Sequence, residues 1–469
     1  MLERVTRVHL VGIGGIGMSG IAELLIHLGY EVSGSDLRSS VITKRLQTLG
    51  AQVDVGHDSR HVGEVDLVVL SSAVPQDNPE RREAERRGIP LIARGVMLAE
   101  LSCQRRGIAV VGSHGKTTTA AMIATVLEYG GLDPTALIGG TLSAFGSNAR
   151  LGQGQFMVVE ADESDRSFLE LSPEIAVLTN LDEEHLDAYD GIGEFEDAFV
   201  TFAGSVPVEG CVVACLDDPW LRRLLPRVKR PVVTYGIDAD AADVQASEVT
   251  LGPAGSRCRV RMSSLGGEVG EFECTLAVPG RHNLQNAMAA VTVGARLGLP
   301  IDVIADALTR FTGADRRFQV VAVVDGITVI DDYAHHPTEI AAVLATIRLR
   351  TPRRVIAVFQ AHRYTRTQQL LERFGEVLAG VDVLILTEVY AASELPIAGV
   401  TASALAAAVR HVASVSVRVV SELDCVASVV ATEAQPGDVV VTLGAGSINS
   451  VVPQIVEALR RQQGAEISR

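Results

Sequence analysis

Lysine is almost missing from this chain of 469 residues: Lys44, Lys116 and Lys229 are the only three. Arginine supplies most of the 41 basic groups, against 57 acidic ones, for a formal net charge of −16. That balance excludes a general nucleic-acid binder, which needs a basic face. It leaves anionic substrates open, because local arginines and helix ends bind phosphate. Long apolar runs are missing too. None reaches the roughly 18 to 20 residues that span a bilayer, so no membrane insertion is expected. The first residues, MLERVTRVHLVGIGG, run straight into a strand-like segment without the basic, apolar and small-residue order of a signal peptide, which predicts a cytoplasmic protein. The six cysteines (Cys103, Cys211, Cys215, Cys258, Cys274 and Cys425) form no C-x-x-C pair, so reduced core thiols are expected. There is no short-period repeat and no low-complexity tract.

Two glycine-rich loops stand out. In the first, Gly12, Gly14 and Gly17 follow a strand-like run and open a helical one, with Asp36 in SGSD about twenty residues on. Glycines there let backbone N–H groups approach a diphosphate, and the helix N-terminus favours its charge. A dinucleotide has a diphosphate, and so does a UDP-sugar; a tight turn that binds nothing is the third possibility. The second loop, VVGSHGKTTTAAMI, resembles a phosphate-binding loop with residues missing. Only Ser113 and His114 separate Gly112 from Gly115-Lys116-Thr117. If it binds ATP, Lys116 neutralises the β- and γ-phosphates, Thr117 binds Mg²⁺ and backbone amides cradle oxygens. Glu160 ends the FMVVE run, with Asp162, Glu163 and Asp165 crowded behind it; such a cluster is costly without a cation. His185, in TNLDEEHLDAY, ends the next apolar run and is either an unusual Mg²⁺ ligand or a hydrogen-bonded structural histidine.

The overall rhythm is βα, that of an α/β chain with parallel sheets, and its length suits about three domains. RVHLVGI and DLVVLSSA are expected strands; MSGIAELLIHLG, NPERREAERRG, TTTAAMIATVLEYGG and NLQNAMAAVTVGARLG are expected helices. VEGCVVACLDD alternates like a buried strand, and residues 232–280 resemble an antiparallel insertion. A last βα series runs through ITVIDDYAHHP, RRVIAVFQAHR, DVLILTEVY and DVVVTLGAG. Boundaries near 104 and 319 give domains 1–104, 105–319 and 320–469.

VGSHGKTTT, EADESD, TNLDEEHLDAY, GRHNLQNAMAA, ADRRF, DDYAHHPTE and FQAHRYTRT occur in this order. Together they resemble the Mur ligases of peptidoglycan synthesis, over essentially the whole chain. GIGGIGMSGIAELL, SGSD, LSSAVPQDNPE and EVYAASELPI are most similar to the member that joins L-alanine to UDP-N-acetylmuramate. The resemblance implies a Rossmann-like N-terminal domain for the UDP-sugar, a central P-loop ATP-binding domain with a small antiparallel part, and a Rossmann-like C-terminal domain that helps bind the amino acid. ATP and Mg²⁺ are the implied cofactors, UDP-N-acetylmuramate and L-alanine the substrates, and a monomer or weak dimer the expected state.

Carried over by position, Gly112, Ser113, His114, Gly115, Lys116, Thr117 and Thr118 form the ATP loop, with Thr117, Glu160 and His185 as metal positions. His282, Asn283 and Asn286 match the segment near the nucleotide base. Arg317, with Arg316, matches the arginine that reaches the γ-phosphate. Asp332, Tyr333, His335 and His336 match the motif facing nucleotide and incoming amino acid, and His362, Arg363 and Arg366 the amino-acid site. Lys116, Arg317, His335 and His336 are the expected catalytic groups. Gly12, Gly14, Gly15, Gly17, Met18, Ser35, Asp36 and Ser72 are the expected UDP-sugar positions. Three residues depart from the family pattern: Ser447 replaces an Asp, Ala361 a Pro, and Glu184 an Asp. Several relatives use a carbamylated lysine near a second Mg²⁺, but this chain has no lysine between Lys116 and Lys229. A family relative that recycles murein tripeptide is the nearest alternative. An NAD-dependent oxidoreductase is a further one, but it leaves the second loop and the third domain without a purpose.

Overall fold

The structure is a computed structural model that describes residues 2–142, 147–183, 188–263 and 270–467. Three sheets follow one another along the chain. The first has strands β1 (Arg7–Val11), β2 (Glu31–Asp36), β3 (Gln52–Val55), β4 (Leu67–Leu70) and β5 (Leu91–Ala93). They are parallel throughout, in the order β3-β2-β1-β4-β5.

The second sheet has ten strands: β6 (Arg106–Val111), β7 (Thr135–Leu142), β8 (Ser147–Arg150), β9 (Phe156–Glu160), β10 (Ile175–Leu178), β11 (Cys211–Cys215), β12 (Val232–Gly236), β13 (Val244–Gly252), β14 (Gly255–Met262) and β15 (Gly270–Leu276). Their order is β15-β14-β13-β12-β11-β10-β6-β9-β7-β8. The strand at 232–236 does not belong to an antiparallel insertion. It pairs parallel with both β11 and β13, extending the main sheet. Antiparallel pairing joins β7 to β8, and only Pro253 and Ala254 link β13 to its neighbour β14, a hairpin connection.

The third sheet has β16 (Gln319–Val324), β17 (Ile327–Asp332), β18 (Val355–Phe359), β19 (Val383–Leu386), β20 (Ser416–Val419) and β21 (Val439–Leu443), in the order β16-β17-β21-β18-β19-β20. It is parallel except for the β16–β17 hairpin.

The chain packs as two compact units. One comprises Met1–Thr250, Arg257–Ala277 and Asn283–Thr312; the other comprises Leu251–Ser256, Val278–His282 and Gly313–Arg469. The helices appear where the apolar spacing predicts them, at Ile16–His27, Pro79–Arg87, Lys116–Tyr129 and Arg281–Arg296. The Lys116–Tyr129 helix is buried on almost every side, packed against β7 and the Ile301–Arg310 helix. Cys211 and Cys215 lie on β11, every residue of which is buried, and burial pushes the Cys215 thiol up to about 12. Cys258 and Cys274 are buried as well, but Cys103 and Cys425 are exposed, so only four of the six thiols are core groups.

Below the first glycine loop lies a polar cluster with no apolar signature in the sequence. Glu80, fully buried at the start of the Pro79–Arg87 helix, accepts from Ser35 Oγ at 2.7 Å and bonds His9 Nε2 at 2.9 Å. Its other oxygen lies 3.3 Å from both His57 Nδ1 and His61 Nδ1 and accepts the Asp58 amide at 3.2 Å. Burial alone would raise this carboxyl. The hydrogen bonds from His9 and Ser35 outweigh it and hold the group down at about 2. Removing a buried charged partner strands the others, so Glu80→Ala is expected to cost about 3–5 kcal/mol of stability. Because the folded-state value is depressed, the contribution is present above about 4.5 and is lost as pH falls toward about 2. Urea denaturation of wild type and Glu80→Ala at pH 6 and pH 3 checks this: the stability gap between them should narrow at the lower pH.

Candidate functional site

In each sheet the expected site residues sit where parallel strands end, because all carboxyl ends of a parallel sheet face the same side. In the ten-stranded sheet, β6 lies between β9 and β10. Residues 112–115, 160–163 and 179–182 therefore meet. Gly112 has φ +140°, and a Cβ there would stand 2.2 Å from Thr179 Oγ1. Gly115 has φ +79°, and a Cβ there would stand 2.6 Å from Asn286 Oδ1, which places Asn286 directly on the loop. Asn180 fixes the turn: its carbonyl accepts the Ser113 amide at 3.0 Å, and its side chain takes the His114 amide at 2.8 Å and donates to the His114 carbonyl at 3.0 Å. His114 Nε2 lies 3.0 Å from Asp182. The Lys116–Tyr129 helix starts at this turn, so its positive end and first-turn amides, those of Lys116, Thr117 and Thr118 included, open onto the loop. Asn283 is buried in the first turn of the Arg281–Arg296 helix.

Lys116 Nζ donates to Glu163 Oε1 at 2.9 Å and to the carbonyls of Gly112 at 2.6 Å and Ser113 at 3.3 Å. Burial pulls its pKa down; the charges of Glu163, Asp162 and Glu160 outweigh this, so the net shift is upward and Lys116 is a cation. Burial also pushes Glu163 up, to about 8, against the pull of Lys116. Its Oε2 has no hydrogen-bond partner. The four carboxylates therefore do not act as one metal cluster. Glu163 sits on Lys116, and Asp165 and Asp162 lie 3.2 and 3.9 Å from Arg94. Glu160 is the one placed for a metal. Its oxygens lie 3.1 and 3.0 Å from Thr117 Oγ1, and the Gly139 amide donates to it at 2.7 Å. A hydroxyl beside a carboxylate is a hard-oxygen pair of the kind Mg²⁺ takes, so the residues present fit that ion. His185 and Glu184 lie outside the described residues.

At the end of β1, the amides of Gly12 (φ +79°) and Ile13 both bond the Ser35 carbonyl, at 2.9 and 3.0 Å. Gly15 caps the Ile16–His27 helix. Asp36 accepts the Gly14 amide at 2.9 Å, so it braces the loop. The Ser35 hydroxyl is turned away into the Glu80 cluster, and the Met18 side chain into the core. What these two offer the loop is backbone. Ser72 is exposed in the turn after β4. Gly17 touches Arg94, which the sequence did not single out.

In the second unit, Asp332 is buried and accepts the amides of Phe318 and Ala334, at 2.6 and 2.7 Å. Burial pushes it up to about 6 against the pull of Arg317. It therefore shapes the 332–336 turn. His336 caps the Pro337–Arg348 helix, with Glu339 completing a capping box. The guanidinium groups of Arg316 and Arg317 each lie 5.0 Å from the Tyr333 ring centre. Arg316 is tied to Asp331 at 3.1 Å and to the Gly444 carbonyl at 2.6 Å. His282 is half-buried near Arg317; desolvation, then that charge, lowers it to about 4. His335 and His362 lie ring to ring at 5.7 Å, and His362 stacks on Tyr390 at 5.4 Å. His362 is lowered to about 3 by burial and by His335, Arg366 and Arg363, so it is neutral at pH 7. Arg363 pairs with Glu394 at 2.7 Å, and the buried Arg366 lies 3.3 Å from His362. Tyr390 and Glu394 complete this cluster. Their signal was the EVYAASELPI stretch, which carries no motif with a chemistry of its own.

With this geometry in view, the family comparisons are decisive. Three family models match in series: Mur ligase family, catalytic domain, over residues 7–106; Mur ligase middle domain over 110–294; and Mur ligase, glutamate ligase domain, over 316–446. The chain belongs to the Mur ligase family. Among Mur ligases it is 49% identical over 462 residues to a UDP-N-acetylmuramate–L-alanine ligase of Syntrophus aciditrophicus (strain SB), covering 98% of this chain and 95% of the relative. It is 49% identical over 460 residues to one of Geotalea daltonii, covering 98% and 99%. Among solved structures it is similar to a UDP-N-acetylmuramate–alanine ligase of Thermotoga maritima, with TM-score 0.82 and 29% identity over 98% of this chain and 99% of that one. A murein peptide ligase of Psychrobacter arcticus follows at TM-score 0.73 and 25% identity, over 97% and 99%.

Two family departures have a local account. Ser447 and the Ile448 amide both bond Gln360, at 3.4 and 3.0 Å, so the turn after β21 is held by a neutral amide. Ala361 is buried just past β18. For a Mur ligase whose cation stands on a buried carboxylate, Lys116→Ala should act in two separable ways. Turnover is expected to fall about a thousandfold or more, as for other lost phosphate clamps. Stability is expected to fall because Glu163 is left without its cation. Adding Glu163→Gln should restore much of the melting temperature but none of the turnover, which thermal melts and an ADP assay on both variants would check.

Proposed function

We propose that this chain joins L-alanine to UDP-N-acetylmuramate at the expense of ATP, in peptidoglycan precursor synthesis in the cytoplasm. The strongest support is the phosphate loop: a half-buried, cationic Lys116 at a helix start, on the same sheet edge as the Thr117–Glu160 pair. The names of the relatives, which match nearly end to end, support the choice of acceptor.

The lactyl carboxylate of UDP-N-acetylmuramate attacks the γ-phosphorus, forming an acyl phosphate and releasing ADP. The amine of L-alanine then attacks the acyl carbon, and phosphate leaves. A carboxylate and a triphosphate repel each other, so the protein's main task is to place them and neutralise charge. Lys116 serves the β- and γ-phosphates, and the amides of residues 115–118 cradle their oxygens. Thr117 and Glu160 would hold Mg²⁺, which supplies charge neutralisation to the transferring phosphoryl group when bound. Residue by residue, the family carry-over gives Arg317 the γ-phosphate, Asn283, Asn286 and His282 the base side, and residues 12–18 with Ser72 the sugar nucleotide. Tyr333, His335, His362, Arg363 and Arg366 form the proposed alanine site, and His335 or His336 is the proposed acceptor of the proton that the alanine ammonium loses before its amine attacks. The three-domain division at about 104 and 319 is part of the same proposal.

Phosphate release from ATP tests the function directly. Release that requires both UDP-N-acetylmuramate and L-alanine is expected. Release with a tripeptide but not with alanine would move the chain to the recycling branch of the family. No release with any acceptor would overturn the proposal.

A further inference from the structure

The ten-stranded sheet has a second edge that the proposed reaction does not use. β9, β6, β10 and β11 lie side by side and run parallel, so their first residues gather on the side opposite the phosphate loop. A cavity of about 220 Å³ opens there. Its floor is apolar: Phe156 and Ile175 are buried at the starts of β9 and β10, with Leu132 and Leu297 half-buried beside them. Two of the charged groups that line it satisfy each other. Arg106 donates to Glu174 through Nε at 2.7 Å and through Nη2 at 2.6 Å, and its guanidinium lies 4.5 Å from the Phe156 ring centre. That two-pronged pair belongs to the wall.

The other two charges are not tied up in this way. Arg296 ends the Arg281–Arg296 helix and Glu209 stands in the turn before β11. Both are exposed, and neither forms an ion pair among the described residues. Gly210 brings the turn in: a Cβ there would stand 2.2 Å from the Glu174 carbonyl oxygen, so only a glycine lets the turn carry Glu209 to the rim. Arg296 reaches the Cys211 thiol, which burial pushes up and the arginine charge draws back. The cavity thus offers one cation, one anion and an apolar floor. It is smaller than the roughly 300 to 1,000 Å³ of sites for drug-sized ligands, so it takes a molecule of amino-acid size and not a nucleotide. A simple anion would be opposed by Glu209, and an uncharged apolar molecule would answer neither charge.

We propose that this cavity binds one free α-amino acid with an apolar side chain. Its carboxylate lies on Arg296, its ammonium toward Glu209 and its side chain on Phe156 and Ile175. A guanidinium holds a carboxylate through two parallel N–H donors, which fixes the orientation of the bound molecule. The ligand sits on the far edge from the phosphate loop, so ATP does not displace it. It takes no part in the ligase reaction, and its binding is measured without turnover.

Equilibrium dialysis of the intact chain against radiolabelled L-leucine and L-phenylalanine tests this. Saturable binding of one amino acid per chain is expected. Arg296→Ala and Glu209→Ala should each weaken it about tenfold or more, the range for one lost charge-assisted hydrogen bond. Arg296→Lys should recover part of the loss, and unchanged melting curves show that these surface variants are folded. 4-Methylpentanoate and L-leucinamide each lack one of the two charges, and should compete at least about tenfold more weakly than leucine. Arg363→Ala, in the proposed alanine site, should leave leucine binding within about twofold, and so should an excess of ATP. No saturable binding of either amino acid at millimolar concentration overturns the proposal. So does binding that survives Arg296→Ala or that Arg363→Ala abolishes, because the amino acid then lies elsewhere. Competition by 4-methylpentanoate as strong as by leucine overturns the part given to Glu209.

Discussion

Lys116 is a cation whose side chain is only 14% exposed, and the groups around it are arranged to make that tolerable. Moving an ammonium into a protein interior costs several kcal/mol unless fixed charges and dipoles replace the water. Here Glu163 meets it directly and two loop carbonyls complete its donors. Such pre-set electrostatics is what phosphoryl transfer needs, because the charge to be stabilised lies on the substrate and little covalent work falls to the protein. Glu163 bears the strain: it is fully buried, pushed up to about 8, and one of its oxygens is left without a partner. A buried carboxyl with an unpartnered oxygen is costly in a purely structural setting; here it stands beside the sole lysine of the loop.

The same economy recurs at the first loop. Its glycines are held by the Ser35 carbonyl and by Asp36, while the Ser35 hydroxyl is locked on Glu80 below. The loop is thus shaped from behind by a buried histidine–glutamate cluster. Arg94 lies against Gly17, in the first turn of the helix that the loop opens.

How much of this was legible beforehand depended on periodicity and on reach. The helices at 16–27 and 116–129 and the strands ending at Val111, Glu160 and Leu443 were visible, because apolar spacing and glycine punctuation are local signals. The strand at 232–236 was assigned to the wrong kind of pairing, since a short alternating run does not reveal its neighbour. Within the site, the residues of the loop and its glycines were readable as chemistry. Glu80, Arg94, Tyr390 and Glu394 were not, because their roles arise from partners 19 to 77 residues away. Of the acidic run EADESD, Glu160 was the expected metal position and the others crowded behind it; those others divide between Lys116 and Arg94.

The central claim is that the carboxylate of the sugar nucleotide becomes an acyl phosphate before the amine arrives. It is tested most directly by following oxygen. UDP-N-acetylmuramate carrying ¹⁸O in its lactyl carboxylate would be turned over with ATP, Mg²⁺ and L-alanine, and the released phosphate analysed by mass spectrometry. Attack of the carboxylate on phosphorus predicts one ¹⁸O in each phosphate formed. Phosphate free of the label would contradict the account, because ATP would then have been cleaved by water and the carboxylate never phosphorylated.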